Sequence, residues 1–106
     1  MISKTELLIL LVLHGATTPG VYGLDIQKAI LECGNETLST GSLYFVLKRL
    51  RSSGYITSTE GQPMAGGARR QYYSLTTEGI SVLSQTLEFI SNLHNWVSEP
   101  SRSPSA

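Results

Sequence analysis

The sequence has 106 residues, and 41% of them are hydrophobic, which fits one compact domain with a modest core and excludes a disordered chain. The formal net charge is zero, which excludes a uniformly basic protein, and the single cysteine excludes an intramolecular disulfide. Because a domain this small is often marginally stable alone, burial against a second copy would stabilise it.

The first predicted element is a helix over residues 4–14. The apolar run over residues 7–13 is too short to span a bilayer, and no small-residue cleavage site follows it. The run therefore predicts a buried helix of a cytoplasmic protein. Gly15 ends the helix, and Pro19 and Gly20 indicate a turn before the next element.

A second helix is predicted over residues 24–32, with one apolar and one polar face, and Gly34 and Asn35 end it. Cys33 stands among apolar residues of this segment. We expect it to be a small buried thiol rather than a nucleophile or a ligand.

The third helix is predicted over residues 40–53, with Ser39 as its N-cap and Gly54 at its C-terminal stop. Its core stripe has the spacing i, i+3, i+4, i+7, which is typical of an amphipathic helix: Leu43, Val46, Leu47 and Leu50. At about 100° per residue, the opposite face holds Gly41, Phe45, Lys48 and Ser52, flanked by Tyr44, Arg49 and Arg51. The helix thus directs cationic and aromatic side chains away from the core.

A β-hairpin follows the third helix. Its strands are predicted over residues 55–59 and 71–75, which are rich in β-branched and aromatic residues. The glycine-rich segment 61–68 is predicted to be a flexible tip, with Arg69 and Arg70 at its base. This glycine segment lacks the Gly-Lys-Ser/Thr ending of a phosphate loop, and it precedes a strand.

The fourth helix is predicted from Thr76 or Thr77, as its cap, to Val97. Apolar residues cover a broad face of this helix, and a terminal helix of this kind indicates a partner surface. The residues expected to form a dimer interface are Ile80, Leu83, Leu87, Ile90, Leu93, Trp96 and Val97. His94 lies on the same stripe and is expected to pack at the interface rather than bind metal. The tail over residues 98–106, with two prolines and four serines, is predicted to be disordered.

Charge is distributed unevenly along the chain. Residues 40–75 contain five basic residues and one acidic residue, whereas the remainder contains three basic and seven acidic residues. The basic segment coincides with the third helix and the hairpin. This element order predicts a mainly α (α+β) fold, a winged helix-turn-helix. One domain over residues 1–97 would contain a three-helix core, a β-hairpin wing and a C-terminal dimerisation helix at about 76–97.

Six short motifs occur in the order and spacing of one family. They are Tyr-Gly-Leu-Asp-Ile at 22–26, Thr-Gly-Ser-Leu-Tyr at 40–44, Leu-Lys-Arg-Leu at 47–50, Gly-Tyr-Ile at 54–56, Arg-Arg-Gln-Tyr-Tyr at 69–73 and Leu-Thr-Thr-Glu-Gly at 75–79. Over residues 5–83 the sequence resembles the PadR-like transcriptional regulators, in the short form without a large C-terminal domain. The resemblance implies a dimeric repressor whose C-terminal helices pair and whose third helix enters the major groove of double-stranded DNA.

The predicted DNA-binding residues lie on the third helix and the wing: Ser39, Thr40, Ser42, Tyr44, Phe45, Lys48, Arg49, Arg69 and Arg70. For Lys48 and Arg49 the alternative is a solvated helix face, and for Arg69 and Arg70 it is a charged strand edge that prevents aggregation. Arg51 lies nearer the core stripe, so it either contacts DNA or pairs with a carboxylate of the same chain. Phe45 is the candidate for contact with a thymine methyl group, or else for packing on a neighbouring protein surface such as the wing.

No arrangement of nucleophile and base, and no pair of carboxylates, suggests an enzyme, and no cofactor or metal site is predicted. Two alternative functions stay open. A winged helix can serve as a protein-interaction module, for which the basic recognition face would be superfluous. The resemblance implies the other alternative, because some short members of that family bind flat aromatic ligands between the dimer helices, and here an aromatic effector would lie beside Phe89 and Trp96.

Overall fold

The computed structural model describes residues 2–16, 18–63, 66–67 and 69–98, except the side chains of residues 97 and 98. The predicted winged-helix fold is confirmed, with four helices and a three-stranded antiparallel sheet in these residues. In chain order the elements are α1 (Lys4–Gly15), β1 (Val21–Tyr22), α2 (Gly23–Gly34), α3 (Thr40–Ser52), β2 (Ile56–Pro63), β3 (Arg69–Leu75) and α4 (Thr77–Ser98).

A capping box fixes the start of α1. The Ser3 backbone N donates to Glu6 Oε1 at 2.8 Å, and the Glu6 N donates to Ser3 Oγ at 3.2 Å, so that two amides at the helix start are satisfied reciprocally. The helix then buries Ile9 and Leu10 completely. Because both ends of the box are local, the helix begins where its sequence predicts.

The core lies where α1, α2 and α3 meet the sheet. Its members share almost complete burial, and they are Ile9, Leu10, Leu13, Ile26, Ile30, Leu43, Leu47, Leu50, Ile56, Tyr73 and Leu83. The predicted stripe of α3 is therefore the central part of the core. Leu83 was predicted to face a second subunit, and this is wrong, because its side chain is 2% exposed and packs inside its own domain.

The connection from α2 to α3 is short and well anchored. Asn35 adopts a left-handed conformation with φ 53°, and its backbone N donates to Leu31 O at 2.8 Å. Gln27 Nε2 then donates to Leu38 O at 2.6 Å, just before α3 begins. These bonds close the helix-turn-helix and fix the direction in which α3 leaves the turn.

Cys33 is exposed, so the prediction of a buried thiol is wrong. It lies in the last turn of α2, where the helix has passed the core and Leu31 is also 46% exposed. Cys33 itself lines an open groove between α1 and α2.

The sheet has the order β1-β3-β2, and β1 was not predicted. This strand has only two residues, and it pairs through Val21 with Tyr73 and through Tyr22 with Tyr72. A two-residue strand has no periodicity to detect in sequence. It nevertheless attaches the start of α2 to the hairpin.

The hairpin, which we call the wing, is longer than its sequence predicts. β2 continues to Pro63 through an irregular register after Glu60. Gly61 belongs to the strand because the Tyr72 ring covers it, and a Cβ at Gly61 would lie 2.4 Å from that ring. The glycine thus permits close packing rather than a flexible tip. Met64, Ala65 and Ala68, also predicted in the tip, lie outside the described residues.

Thr76 joins the start of α4 to the end of α3. Its Oγ1 accepts from the Gly79 N at 3.0 Å and donates to Gly54 O at 2.6 Å. A Cβ at Gly79 would lie 2.0 Å from Tyr55 O, so this glycine lets α4 approach the chain that enters the wing. Of the two predicted caps, Thr76 is the one that caps.

The predicted disordered tail over residues 98–106 begins one residue too early, because Ser98 is the last residue of α4. Residues 99–106 and the predicted interface side chain of Val97 lie outside what the structure describes. Across the described helices, none is both long enough and apolar enough to cross a membrane.

Candidate DNA-binding surface

The outward face of α3 carries two cations beside a large exposed ring. Phe45 is 62% exposed, the largest exposure among the big apolar side chains of the described residues. Together with Lys48 and Arg49 it lines a shallow depression that ends at Ser52 and Ser53. Neither cation has an ion-pair partner within the described part of the chain. Their charge is therefore available to an anionic partner.

The predicted serines lie together at the start of α3. Ser39 Oγ accepts from the Ser42 N at 3.1 Å, which confirms Ser39 as the N-cap, and it donates to Ser42 Oγ at 2.9 Å. Thr40 Oγ1 accepts weakly from Gln27 Nε2 at 3.4 Å. All three hydroxyl groups belong to exposed residues at the helix start. They form a compact polar group on the side from which α3 would enter a groove.

Tyr44 lies at the edge of the core, against the start of α2. It is 37% exposed, and a Cβ at Gly23 would lie 3.0 Å from its hydroxyl oxygen. Burial raises the pKa of Tyr44 above its usual 10.0, and the neighbouring Tyr22 adds to the rise. The ring therefore packs on Gly23 while part of it stays exposed.

Among the described residues, Arg51 binds a hydroxyl group and has no carboxylate partner, so the predicted pairing with an intramolecular carboxylate is not formed there. Its Nη1 donates to Ser58 Oγ at 2.9 Å. Ser58 pairs with Tyr73 on the face of the wing that continues into the core, and the last turn of α3 passes over this face. The bond joins α3 directly to the wing.

Arg69 and Arg70 occupy opposite faces of β3, since side chains alternate along a strand. Arg69 Nε lies 3.9 Å from Glu60 Oε2, a loose ion pair of two exposed side chains. Arg70 instead places its Cζ 4.6 Å from the centre of the Tyr22 ring. The two arginines therefore have different neighbours on the two faces of the strand.

Both arginines lie at the far end of the wing. Arg69 pairs with Pro63, at the far end of the hairpin, while the base of the hairpin is the pair Ile56 and Leu75. The prediction placed both arginines directly after the glycine-rich segment, and they are the first two residues of β3. They stand toward the end that projects from the domain.

Tyr22 is a surface residue that our sequence analysis did not select. Its ring lies under Arg70 and 6.2 Å from the Tyr72 ring, with 48° between the ring planes. The available signal was the spacing of Tyr72 and Arg70, which share one face of a strand. Because β1 was not predicted, this spacing does not identify Tyr22 as the neighbour of Arg70 and Tyr72.

A second surface is apolar and lies away from the wing. A groove of about 530 Å³ between α1 and α2 is lined by Leu8, Leu11, Val12 and Ile30, with Cys33 at its edge. Beyond Thr86, every described side chain of α4 is exposed. The large apolar ones are 41–56% exposed: Leu87, Phe89, Ile90, Leu93 and Trp96. Ile80, also predicted for the interface, is 45% exposed.

No three His, Cys, Asp or Glu side chains cluster as metal ligands among the described residues. The geometry is that of two separate surfaces, one cationic and one apolar.

Comparisons with known proteins agree with this geometry. The sequence matches the transcriptional regulator PadR-like family over residues 10–85. No curated protein matches it significantly.

A PadR-like transcription factor from Bacteroides fragilis has a TM-score of 0.78 and 27% identity, over 90% of this chain and 87% of that one. A PadR family transcription regulator from Clostridium difficile has a TM-score of 0.71 and 33% identity, over 90% and 98% of the two chains. A transcriptional regulator from Clostridium thermocellum has a TM-score of 0.74 and 28% identity, over 90% of each chain. Because the family match spans most of the sequence and the structural similarity nearly all of it, the chain belongs to the PadR-like family of transcriptional regulators.

Proposed function

We propose that this chain acts as a homodimer that binds specific sequences of double-stranded DNA and represses transcription there. DNA-binding transcriptional regulation is the activity of its family, which is not a family of enzymes. The observation that carries the proposal is the outward face of α3, where Lys48 and Arg49 lie unpaired within the described chain beside the exposed Phe45.

In this proposal α3 enters the major groove. A helix fits this groove, and its outward side chains reach the base edges. Phe45 would cover a thymine methyl group, while Lys48 and Arg49 contact phosphates or bases. Ser39, Thr40, Ser42 and Tyr44 would contact the backbone where the helix enters. On the wing, Arg69 and Arg70 would reach phosphates on either side of the hairpin.

Dimerisation is proposed through the second half of α4. A helix that carries five large apolar side chains in water is unfavourable, and an isolated helical segment of ten residues is marginal by itself. The groove between α1 and α2 offers an apolar surface to such a helix from a second copy. A two-fold axis would place each α4 on the partner's groove.

Cys33 provides a direct test of that arrangement, because its thiol lies at the edge of the groove and is exposed in the single chain. In a dimer packed through the groove, a thiol reagent should modify Cys33 slowly at high protein concentration and rapidly on dilution. A modification rate that does not depend on protein concentration would place the interface elsewhere.

DNA binding is tested by fluorescence anisotropy with random-sequence duplexes at low salt, followed by sequencing of the fragments that the purified protein retains. We expect tight binding at low salt and enrichment of a two-fold symmetric sequence. A winged helix that serves only protein interactions would show no binding. Transcription in vitro from a promoter that contains the enriched sequence should fall as the protein is added, and a rise would overturn the assignment as a repressor.

An aromatic effector is a second proposal, supported by the exposure of Phe89 and Trp96 on the same helix. Trp96 is the only tryptophan, so its fluorescence reports this region alone. Planar aromatic compounds that bind between the dimer helices should quench this fluorescence and change the affinity for DNA. Quenching with no change in DNA affinity would argue against a regulatory ligand.

A further inference from the structure

We infer that Tyr22 is a positioning residue, whose ring holds the Arg70 guanidinium in place to meet a DNA phosphate. The inference rests on the proposed DNA binding and adds a residue that does not itself have to touch DNA. Its basis is the stacking of Arg70 Cζ 4.6 Å from the centre of the Tyr22 ring.

Tyr22 is held in place through its backbone. Its backbone pairs with Tyr72 across the sheet, and it is also the residue that precedes the first turn of α2. Tyr72 is in turn held by close packing over Gly61, where no Cβ can be accommodated. The ring that supports Arg70 is therefore part of the junction between the wing and the helix-turn-helix.

Stacking leaves the arginine free to bind. The Arg70 Cζ lies over the Tyr22 ring, and arginine makes such a contact through its charge and its flat face rather than by giving up its N–H donors to an acceptor. An ion pair would occupy some of these donors, as Glu60 does loosely for Arg69 at 3.9 Å. Arg70 has no such carboxylate partner among the described residues. It is thus oriented without being neutralised.

Orientation before binding lowers the entropy that a long side chain loses when it contacts a phosphate. An exposed cation–π contact corresponds to about a two- to fivefold change in an equilibrium constant. Replacing Tyr22 by leucine should therefore weaken DNA binding by up to about that factor for each subunit of the dimer. The effect should vanish when Arg70 is absent.

The experiment is a double-mutant cycle with Tyr22→Leu and Arg70→Gln, measured by anisotropy on one random-sequence duplex over a series of salt concentrations. Arg70→Gln should weaken binding and reduce the slope of log K against log salt by about 1.8, because each of the two subunits loses a contact with one phosphate at about 0.9 per phosphate. Tyr22→Leu should weaken binding with little change in slope, since the charge remains. In the Arg70→Gln background, Tyr22→Leu should add nothing.

Two control variants separate this role from others. Tyr22→Phe keeps the ring and should bind like the original protein, whereas a direct contact between the Tyr22 hydroxyl group and DNA would make it as weak as Tyr22→Leu. Arg69→Gln removes the same charge from the opposite face, and its effect should be independent of Tyr22. Additive effects of Tyr22→Leu and Arg70→Gln would overturn the inference.

The stacking is also measurable without DNA. In NMR spectra of the free protein, the Arg70 side-chain protons should show an upfield ring-current shift that Tyr22→Phe preserves. Absence of this shift in the original protein would overturn the inference even if Tyr22→Leu fails to fold.

If the original protein binds no duplex at all, the proposed function fails together with the inference. If it binds without coupling between the two residues, only the inference fails.

Discussion

The helices α3 and α4 are both amphipathic, but they expose opposite kinds of surface. α3 buries Leu43, Leu47 and Leu50 in its own domain, and its outward face is mostly polar and cationic. α4 buries Leu83 and then leaves the domain with an apolar face exposed from Leu87 onward. Both helices have the same periodicity, but the apolar face of α3 is covered within its own domain, whereas much of the apolar face of α4 is not.

This difference indicates the partner of each helix. An outward face with unpaired cations suits a polyanion, because phosphate contacts release counterions from DNA. An outward apolar face suits another protein surface, because its burial removes hydrocarbon from water at about 25 cal/mol per Å². Phe45 is the exception on α3, since it is a large apolar group on a cationic face, and this makes it the residue with the most informative substitution.

The largest expected effect is on α4. Leu87→Glu places a carboxylate in the proposed apolar interface, where an unpaired buried charge costs several kcal/mol. We expect the dimer to dissociate, so that light scattering after gel filtration gives the mass of one chain. Loss of the partner should also unfold part of the projecting segment and reduce helicity in circular dichroism.

Asn92→Glu is the matched control for this substitution. At about 100° per residue, Asn92 lies on the polar face of α4, and it is exposed like Leu87. The Asn92→Glu substitution introduces the same charge into the same helix, and it should leave the mass of the dimer unchanged. A Leu87→Glu protein that remains dimeric would show that the two helices do not differ as proposed.

Phe45→Ala tests the exception on α3. Because the side chain is 62% exposed, its removal should leave the melting temperature almost unchanged. Binding to the best operator should weaken by about 1–3 kcal/mol, as for loss of one base contact, while binding to random duplexes stays nearly normal. Replacing the contacted thymine by uracil should reproduce part of this loss in the original protein and none in the variant.

Ser52→Ala, on the same outward face of α3, is the control for Phe45→Ala, and it should change neither the melting temperature nor the discrimination between operator and random DNA. A Phe45→Ala protein that melts much earlier yet discriminates normally would show that the ring packs on protein instead.

Lys48→Gln should produce a smaller and less selective effect. If Lys48 of each subunit neutralises one phosphate, the slope of log K against log salt should fall by about 1.8 for the dimer, with similar weakening on all duplexes. Lys28→Gln removes the same charge from α2, where Lys28 Nζ lies 4.0 Å from Glu32 Oε1, and it should leave the slope unchanged. Equal slopes for the two variants would assign Lys48 to a solvated face.

The sequence predicts best where the determinants are local. Ser39 caps α3 as predicted, and the stripe of Leu43, Leu47 and Leu50 is buried because helical spacing alone brings these residues to one face. The start of α1 is equally local, since its capping box lies within four residues. The element order that makes the fold recognisable follows from such signals.

Prediction fails where a distant residue decides. Gly61 belongs to a strand because the Tyr72 ring covers it, and Arg51 binds Ser58 because the wing folds back beside α3. Leu83 lies on the same stripe as Leu87, and only the point at which α4 leaves the domain separates a core residue from an exposed one. Tyr22 acquires its place beneath Arg70 through a two-residue strand that no pattern reveals.

The smallest expected effect concerns the edge of α3 that is neither core nor open surface. Burial raises the pKa of Tyr44 above its usual 10.0, with a further rise caused by Tyr22. Because the phenol in the folded protein holds its proton more tightly than in the unfolded chain, its contribution to stability is fully present below about pH 10 and is lost as pH rises through the folded-state pKa. The pKa of Tyr73 is raised as well, chiefly through burial.

Tyr44→Phe removes one of these two groups, so the free energy of unfolding, measured by urea titration, should fall less steeply with alkaline pH than in the original protein. The difference should be small because Tyr44 is 37% exposed, and parallel curves for the two proteins across this range would show that α3 has no buried phenol at its edge.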